Sequence, residues 1–323
     1  MPKFKVLLTD RPWSDWEIER KILSAADTEI IAAPNGDEAT LVDLAQDCDA
    51  IGTCWAQVTE AVINAAPRCR GIARFGIGLD NIAVDTATQL NIPVTYVPDY
   101  CVGEVADHTL ALLLACARNV AFFHARTKME EYDLSAAPTM RRLSECVLGL
   151  VGLGRIGSEV AARARAFGMR TLSHTPSGNP RSSGCEMVSF DELLDRSDFV
   201  SLHCPLTPQS RGMFGLLQFQ RMQPSAFLIN TSRGGVISTD DLWSALKNNE
   251  IAGAALDVFD PEPPDLSQPL YLDQRVIVTP HAAFVSQQSL AELRNRVARQ
   301  IADMLHARQP EHLVNPQIWP HSN

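Results

Sequence analysis

The tightest constraint on this chain is Gly152-Leu153-Gly154-Arg155-Ile156-Gly157, set between the apolar stretch 147–151 and a helical pattern over 158–167. A G-x-G-x-x-G alone is common by chance. Placed between a strand and a helix, it predicts a tight turn that seats a pyrophosphate on backbone N–H groups at a helix N-terminus. Gly152, Gly154, Arg155, Ile156 and Gly157 are therefore the first candidate cofactor-binding residues. A doubly wound parallel α/β sheet is the architecture such a turn serves.

The rest of the chain carries the same alternation. Residues 5–9, 49–53 and 71–75 read as short buried strands, with helical patterns at 17–26 and 60–66, and 93–98 closes this first series. Residues 105–119 form one long apolar pattern in which Asp107 and His108 are the only strongly polar members before Arg118 and Asn119 at its end; it is expected to join two domains. Six further strands follow at 146–151, 170–173, 199–203, 226–230, 253–257 and 276–279. The final pattern, 287–306, places Leu290, Leu293, Val297, Ile301 and Leu305 at helical spacing and is expected to return to the first domain. The reading is thus α/β: one domain from 1–101 and 284–323, and a dinucleotide-binding domain over 102–283.

A length of 323 residues with 46% hydrophobic content allows two cores of this kind. Net charge −10 and pI near 5.3 lack a basic footprint, so no nucleic-acid partner is expected. The eight cysteines (Cys48, Cys54, Cys69, Cys101, Cys116, Cys146, Cys185, Cys204) stand singly, which reads as reduced thiols in a cytoplasm. No His or Cys spacing suits a metal. Met1-Pro2-Lys3-Phe4-Lys5 runs into a strand rather than a signal peptide, and the longest apolar run, 110–116, is far below the roughly 18 residues that span a bilayer. No membrane association is expected.

A dinucleotide fold commonly places a carboxylate about 20 residues past the glycines, where it binds the adenosine ribose. Here the chain reads His174-Thr175-Pro176-Ser177-Gly178-Asn179-Pro180-Arg181. No charge at Thr175 repels a 2′-phosphate, and Thr175, Ser177 and Arg181 carry donors for one. NAD(H) and NADP(H) both stay open.

Three later stretches carry the chemistry. Asn230-Thr231-Ser232-Arg233-Gly234-Gly235 surrounds one guanidinium with small residues, and a planar fork of donors suits a carboxylate and its neighbouring carbonyl oxygen. Thr279-Pro280-His281 puts an imidazole at a strand end, where it can lend and recover a proton. Glu262, between Pro261 and Pro263, is the candidate partner for that imidazole. Asp257 ends its own strand and is placed near a nicotinamide carboxamide or near His281. An arginine, a carboxylate and a histidine after a dinucleotide turn meet the needs of reversible hydride transfer to a 2-keto acid.

Residues 149–157, His203-Cys204-Pro205-Leu206-Thr207, 229–236, 253–263 and Thr279-Pro280-His281 together resemble the D-isomer-specific 2-hydroxyacid dehydrogenases, in order and spacing, over nearly the whole chain. The resemblance implies two Rossmann-like domains, a flavodoxin-like substrate domain and a dinucleotide-binding domain, with the active site in the cleft and usually a homodimer joined through the nucleotide-binding domains. It assigns Arg233 to the substrate, His281 to acid/base chemistry and Glu262 to His281. His203, Pro205, Thr231 and Ser232 join the cofactor-binding set. Arg74-Phe75-Gly76-Ile77-Gly78-Leu79-Asp80-Asn81 resembles the loop whose N–H groups receive the substrate carboxylate, at Ile77 and Gly78.

Within the family, 97–108 and Pro280-His281-Ala282-Ala283-Phe284 look most like the branch of the C-terminal-binding-protein corepressors. That branch commonly has tryptophan where this chain has Phe284, which keeps an apolar wall but gives up an indole donor. Trp55 and Tyr100 are further aromatic candidates for the cleft. The tryptophan frequent in the arm before the glycine turn is absent, with Tyr132 nearby. Two functions follow: an NAD(P)-dependent enzyme acting on a small 2-keto acid such as glyoxylate or hydroxypyruvate, or a dinucleotide-sensing binding protein with little turnover.

Overall fold

Short apolar runs separated by amphipathic helices satisfy their backbone best as parallel sheets covered on both faces. A computed structural model, describing residues 2–181 and 183–319, contains two such sheets. They belong to two units, Met1–Tyr100 with Ser286–Asn323, and Cys101–Val285, against boundaries at 101/102 and 283/284 read from the sequence. Residues 1 and 320–323 of the expected first domain lie outside the described residues.

The first unit runs β1 (Phe4–Leu8), α1 (Glu17–Ala25), β2 (Thr28–Ala32), α2 (Glu38–Ala45), β3 (Ala50–Thr53), α3 (Glu60–Asn64), β4 (Ile72–Arg74), α4 (Val84–Gln89) and β5 (Val94–Thr95). Its strands pair in parallel in the order β2-β1-β3-β4-β5. Leu7, Ile51, Ile72 and Val94 pack one face against Leu41 and Ala45 of α2, Val62 and Ile63 of α3 and Ala87 of α4. The sequence reading passed over β2. It is an edge strand with only Thr28 buried, so no alternation marked it.

The second unit opens with α5 (Val102–Ala117) and α6 (Val120–Lys128) and continues β6 (Val147–Val151), α7 (Arg155–Ala166), β7 (Arg170–His174), β8 (Glu186–Met187), α8 (Phe190–Arg196), β9 (Phe199–Leu202), α9 (Leu216–Arg221), β10 (Phe227–Asn230), α10 (Thr239–Lys247), β11 (Gly253–Leu256), α11 (Pro269–Leu272) and β12 (Val276–Val278). Seven strands, not the expected six, pair in parallel as β12-β11-β10-β9-β6-β7-β8. The extra one, β8, is a two-residue edge strand too short to show a period. Alternate side chains go to opposite faces: Val200, Leu202, Leu228, Ala254 and Leu256 to one core, Leu148, Leu150, Ile229 and Ala255 to the other. The order reverses between β6 and β9, the switch point at which open α/β sheets bind ligands.

The helix expected to join the domains begins directly after the boundary between the units. α5 lies wholly in the second unit, packed on α7, β10 and β11, and stops where Asn119 enters the left-handed region at φ 51°. The last helix, α12 (Gln287–Leu305), is capped by Ser286, whose Oγ accepts the Ser289 N–H at 2.9 Å. It packs on α1, β3 and β4 of the first unit through Leu293, Val297, Ile301 and Leu305, while Leu290 is only half-buried. Asn315 then fastens the chain end: its Oδ1 accepts the Val94 N–H at 2.8 Å and its Nδ2 donates to Ile92 O at 3.0 Å. Among the described residues no single helix is long and apolar enough to cross a membrane.

Helices α1 and α12 are joined by a buried ion pair. Arg294 donates from Nε and Nη2 to the two carboxylate oxygens of Glu19 at 2.9 and 2.8 Å, with Glu19 fully buried. Removing Glu19 leaves the buried Arg294 with only Asp15, a carboxylate 42% exposed and 2.9 Å from Nη2, whereas an apolar pair of similar volume buries no charge. Glu19→Ala is expected to cost about 3–5 kcal/mol in urea denaturation, and Glu19→Leu combined with Arg294→Met to recover most of it. Equal losses in both variants would contradict this account.

Candidate active site

Register places the site. Val151 pairs with His174 on one side and Leu202 on the other, Leu202 with Asn230, Asn230 with Leu256, and Leu256 with Val278. One rung therefore crosses six strands at their carboxyl ends. The residues that follow it are Thr175, Gly152, His203, Thr231, Asp257 and Thr279. The ladder continues into them: N–H groups of Gly152, His203, Asp257 and Thr279 donate to His174, Val151, Asn230 and Leu256 at 2.8–2.9 Å.

At β6 the chain turns through Gly152, whose φ of 100° L side chains rarely adopt, and a Cβ there would lie 2.7 Å from the His203 carbonyl carbon. Gly154, the N-cap of α7, differs: a Cβ would meet nothing within 4 Å. The turn thus keeps open space over a twelve-residue helix whose first turn has no acidic residue, which fits an anionic pyrophosphate. Arg155 is exposed on the same turn, and Ile156 is half-buried.

Beyond β7, Thr175 is half-buried, its Oγ1 3.3 Å from Ser177 Oγ, and its carbonyl accepts the Gly178 N–H at 3.0 Å. Arg181 is exposed and donates its backbone N–H to Asn179 Oδ1 at 2.9 Å. Between β9 and the next helix, His203 Nε2 lies 2.9 Å from Ser201 Oγ. Burial pushes the His203 imidazole down to about 4, so this ring is neutral near pH 7 and is no acid. Pro205 is exposed beside it.

The arginine loop is shaped by Asn230, which the sequence reading gave no role. Its Oδ1 accepts the Ser232 N–H at 3.0 Å and Oγ–H at 2.9 Å, and its Nδ2 donates to Arg233 O at 2.9 Å. Thr231 Oγ1 lies 2.8 Å from Thr109 Oγ1 of α5. Both hydroxyls expected to reach a cofactor are thus bonded within the protein, each keeping acceptor capacity on its oxygen. Arg233 is half-buried, with Nη1 donating to Ser232 O at 2.7 Å. A Cβ at Gly234 would overlap the Phe259 carbonyl, so glycine lets this loop touch the one carrying Glu262.

In that next loop, Glu262 Oε1 accepts the Phe259 N–H at 2.8 Å and Oε2 lies 2.7 Å from His281 Nδ1. A carboxylate only accepts, so His281 carries its proton on Nδ1 toward Glu262. His281 sits at φ 52°, its backbone N–H donating to Asp257 O at 2.8 Å, with the Phe284 ring edge-on at 6.0 Å. The predicted pair is therefore assembled across 19 residues of chain.

Asp257 stands beside the His281 turn, one of the two places expected for it. It is fully buried, and its carboxylate accepts from Thr279 Oγ1 at 2.5 Å and from the Ala282 and Ala283 N–H groups at 2.9 Å each. Burial alone would push this carboxyl up; hydrogen bonds from His108, Thr279, Ala282 and Ala283 outweigh it and hold it below the usual range. It stays ionised and holds the turn around His281.

In the first unit, the loop after β4 is built on Arg74, a buried guanidinium that donates to Gly78 O at 3.0 Å and to Phe75 O. Ile77 and Gly78 on this loop are half-buried. Trp55, with its N–H on Asp10 at 2.7 Å, is 39% exposed at the same sheet edge, whereas Tyr100 is buried.

Comparison with known proteins agrees with this geometry. Residues 110–283 match the family description "D-isomer specific 2-hydroxyacid dehydrogenase, NAD binding domain". The chain is 37% identical over 285 residues to a glyoxylate reductase of Korarchaeum cryptofilum, covering 86% of each chain. It is 36% identical over 257 residues to C-terminal-binding protein 1 of Caenorhabditis elegans, covering 76% of this chain and 35% of that one. Among solved structures, D-lactate dehydrogenase from Aquifex aeolicus, complexed with NAD and lactic acid, superposes with TM-score 0.87 at 28% identity, over 96% of this chain and 99% of that one. The turn, the arginine loop and the Glu262–His281 pair thus sit in a chain that belongs to the D-isomer-specific 2-hydroxyacid dehydrogenase family.

Proposed function

We propose that the protein reversibly reduces a small 2-keto acid to the D-2-hydroxy acid with a nicotinamide dinucleotide, glyoxylate or hydroxypyruvate being the type of substrate. The observation that carries this reading is the single rung from which the phosphate turn, the arginine loop and the Glu262–His281 pair all leave.

Arg233 grips the keto-acid carboxylate and the adjacent carbonyl oxygen through its planar fork. His281 gives its proton to that oxygen during reduction and takes it back during oxidation. With Nδ1 held by Glu262, Nε2 is the nitrogen turned to substrate. Ile77 and Gly78 receive the carboxylate, and Phe284 supplies an apolar wall. The turn from Gly152 to Gly157 with Arg155 and Ile156 holds the pyrophosphate, Thr175 the adenosine ribose, and His203, Pro205, Thr231, Ser232 and Asp257 complete the coenzyme's surroundings. The dinucleotide, when bound, supplies the hydride.

Either NAD(H) or NADP(H) suits Thr175, since no carboxylate stands there. A homodimer is supported by α6, none of whose residues is buried, and by exposed Met129, Tyr132 and Leu134 after it. Eight free cysteines support a cytoplasmic setting. The relationship to C-terminal-binding protein 1 keeps a second reading, a dinucleotide-sensing binding protein with little turnover.

His281→Ala is expected to lower kcat by roughly 10²–10⁴ with coenzyme affinity nearly unchanged in a fluorescence titration, and Arg233→Ala to raise the KM of the keto acid. An unimpaired His281→Ala enzyme would remove this mechanism; absence of turnover across a panel of 2-keto acids, with dinucleotide still bound, would favour the sensor. Thr175→Asp is expected to shift the NADH/NADPH ratio of kcat/KM toward NADH by about tenfold or more, equivalent to about 1.4 kcal/mol. An unchanged ratio would place ribose recognition elsewhere. Gly234→Ala, by forcing Phe259 away and with it the N–H that holds Glu262, is expected to depress kcat by about 10²-fold; wild-type kcat would show that the two loops are not coupled.

A further inference from the structure

On the largely apolar α5, two consecutive polar side chains reach two different loops of the site. His108 Nε2 lies 3.0 Å from Thr279 Oγ1 and 3.5 Å from Asp257 Oδ1. Thr109 Oγ1 lies 2.8 Å from Thr231 Oγ1. Proton inventory fixes the donors. Thr279 has one hydroxyl proton and gives it to Asp257, so it accepts from His108, which must carry hydrogen on Nε2. Thr109 donates its own to Val105 O at 2.7 Å, so Thr231 donates to Thr109.

We propose that His108 and Thr109 are positioning residues, His108 setting the His281 turn through Thr279 and Asp257, and Thr109 setting the Arg233 loop through Thr231. Three observations carry it. Asp257 is fully buried and bonds the Ala282 and Ala283 N–H groups, so its placement decides where His281 stands. His281 occupies the left-handed region at φ 52°, which a non-glycine residue holds only when its surroundings impose it. Finally, α5 packs on β10 and β11, the strands that lead into the Arg233 loop and into Asp257. One helix thus aligns the acid/base with the substrate-binding cation.

This inference rests on the dehydrogenase reading, and wild-type turnover separates the two. If the wild type reduces no 2-keto acid, that reading fails; if it does and the variants match it, the positioning roles fail. His108→Leu is expected to lower kcat by about 10²-fold with the keto-acid KM little changed, and His108→Gln, which keeps a donor near the Nε2 position, to recover most of the loss. Thr109→Val is expected to raise the keto-acid KM by about tenfold with a small effect on kcat, with Thr109→Ser recovering it. A general weakening of the fold would not split the two parameters this way. Independently of turnover, the His281 Nδ1–H signal in histidine-labelled protein, assigned by its loss in His281→Ala, should shift or broaden in His108→Leu and stay in place in Thr109→Val. Should His108→Leu not fold, Thr279→Val against Thr279→Ser makes the same comparison. Equal kcat and KM changes in the two α5 variants, or no recovery by glutamine and serine, would overturn the proposal.

Discussion

Everything in the second unit depends on parallel strands ending in step. Because Val151, Leu202, Asn230, Leu256 and Val278 share a rung, loops separated by more than a hundred residues begin at the same level. A one-residue slip of any strand would exchange its two faces, which are buried on both sides by different cores. The same packing that stabilises the sheet therefore fixes where Arg233, Glu262 and His281 start. Catalytic geometry is then finished locally, by Asn230 in one loop, by the Gly234–Phe259 approach between two, and by Asp257 in the third.

The charges of the site are separated by environment. His203 is desolvated and neutral, Asp257 is buried yet ionised because four groups donate to it, and the Glu262–His281 pair is partly open to solvent. Two histidines and two carboxylates thus stand in distinct environments. A buried carboxylate with satisfied partners suits a hinge point, since its hydrogen bonds are strong in a low-dielectric interior. A partly exposed pair suits acid/base work, since its protonation must change during turnover.

Much of this was legible in the residues. The glycine turn announces itself because strand, motif and helix are contiguous, and the Arg233, Glu262 and His281 stretches because each pairs a reactive group with prolines or glycines that bend the chain. Edge strands β2 and β8 were not legible: half-exposed or two residues long, they show no alternation. Nor were side-chain directions. Thr231, Ser232 and Asp257 turn polar atoms into the protein, a matter of rotamer and neighbour rather than of sequence. The contact from His108 to Thr279 joins residues 171 positions apart and exists only through the register of the sheet. The length and apolarity of α5 carry no information about which unit covers it.

The central claim is that this carboxyl edge performs direct hydride transfer to the carbonyl carbon of a 2-keto acid. Its most direct test is reduction of pyruvate or hydroxypyruvate with nicotinamide dinucleotide deuterated at the transferable C4 position, followed by mass spectrometry and chiral analysis of the product. The account predicts one deuterium at C2 of the D-2-hydroxy acid, with none lost to water. Deuterium released to solvent, product of the L configuration, or coenzyme bound without any product would contradict it.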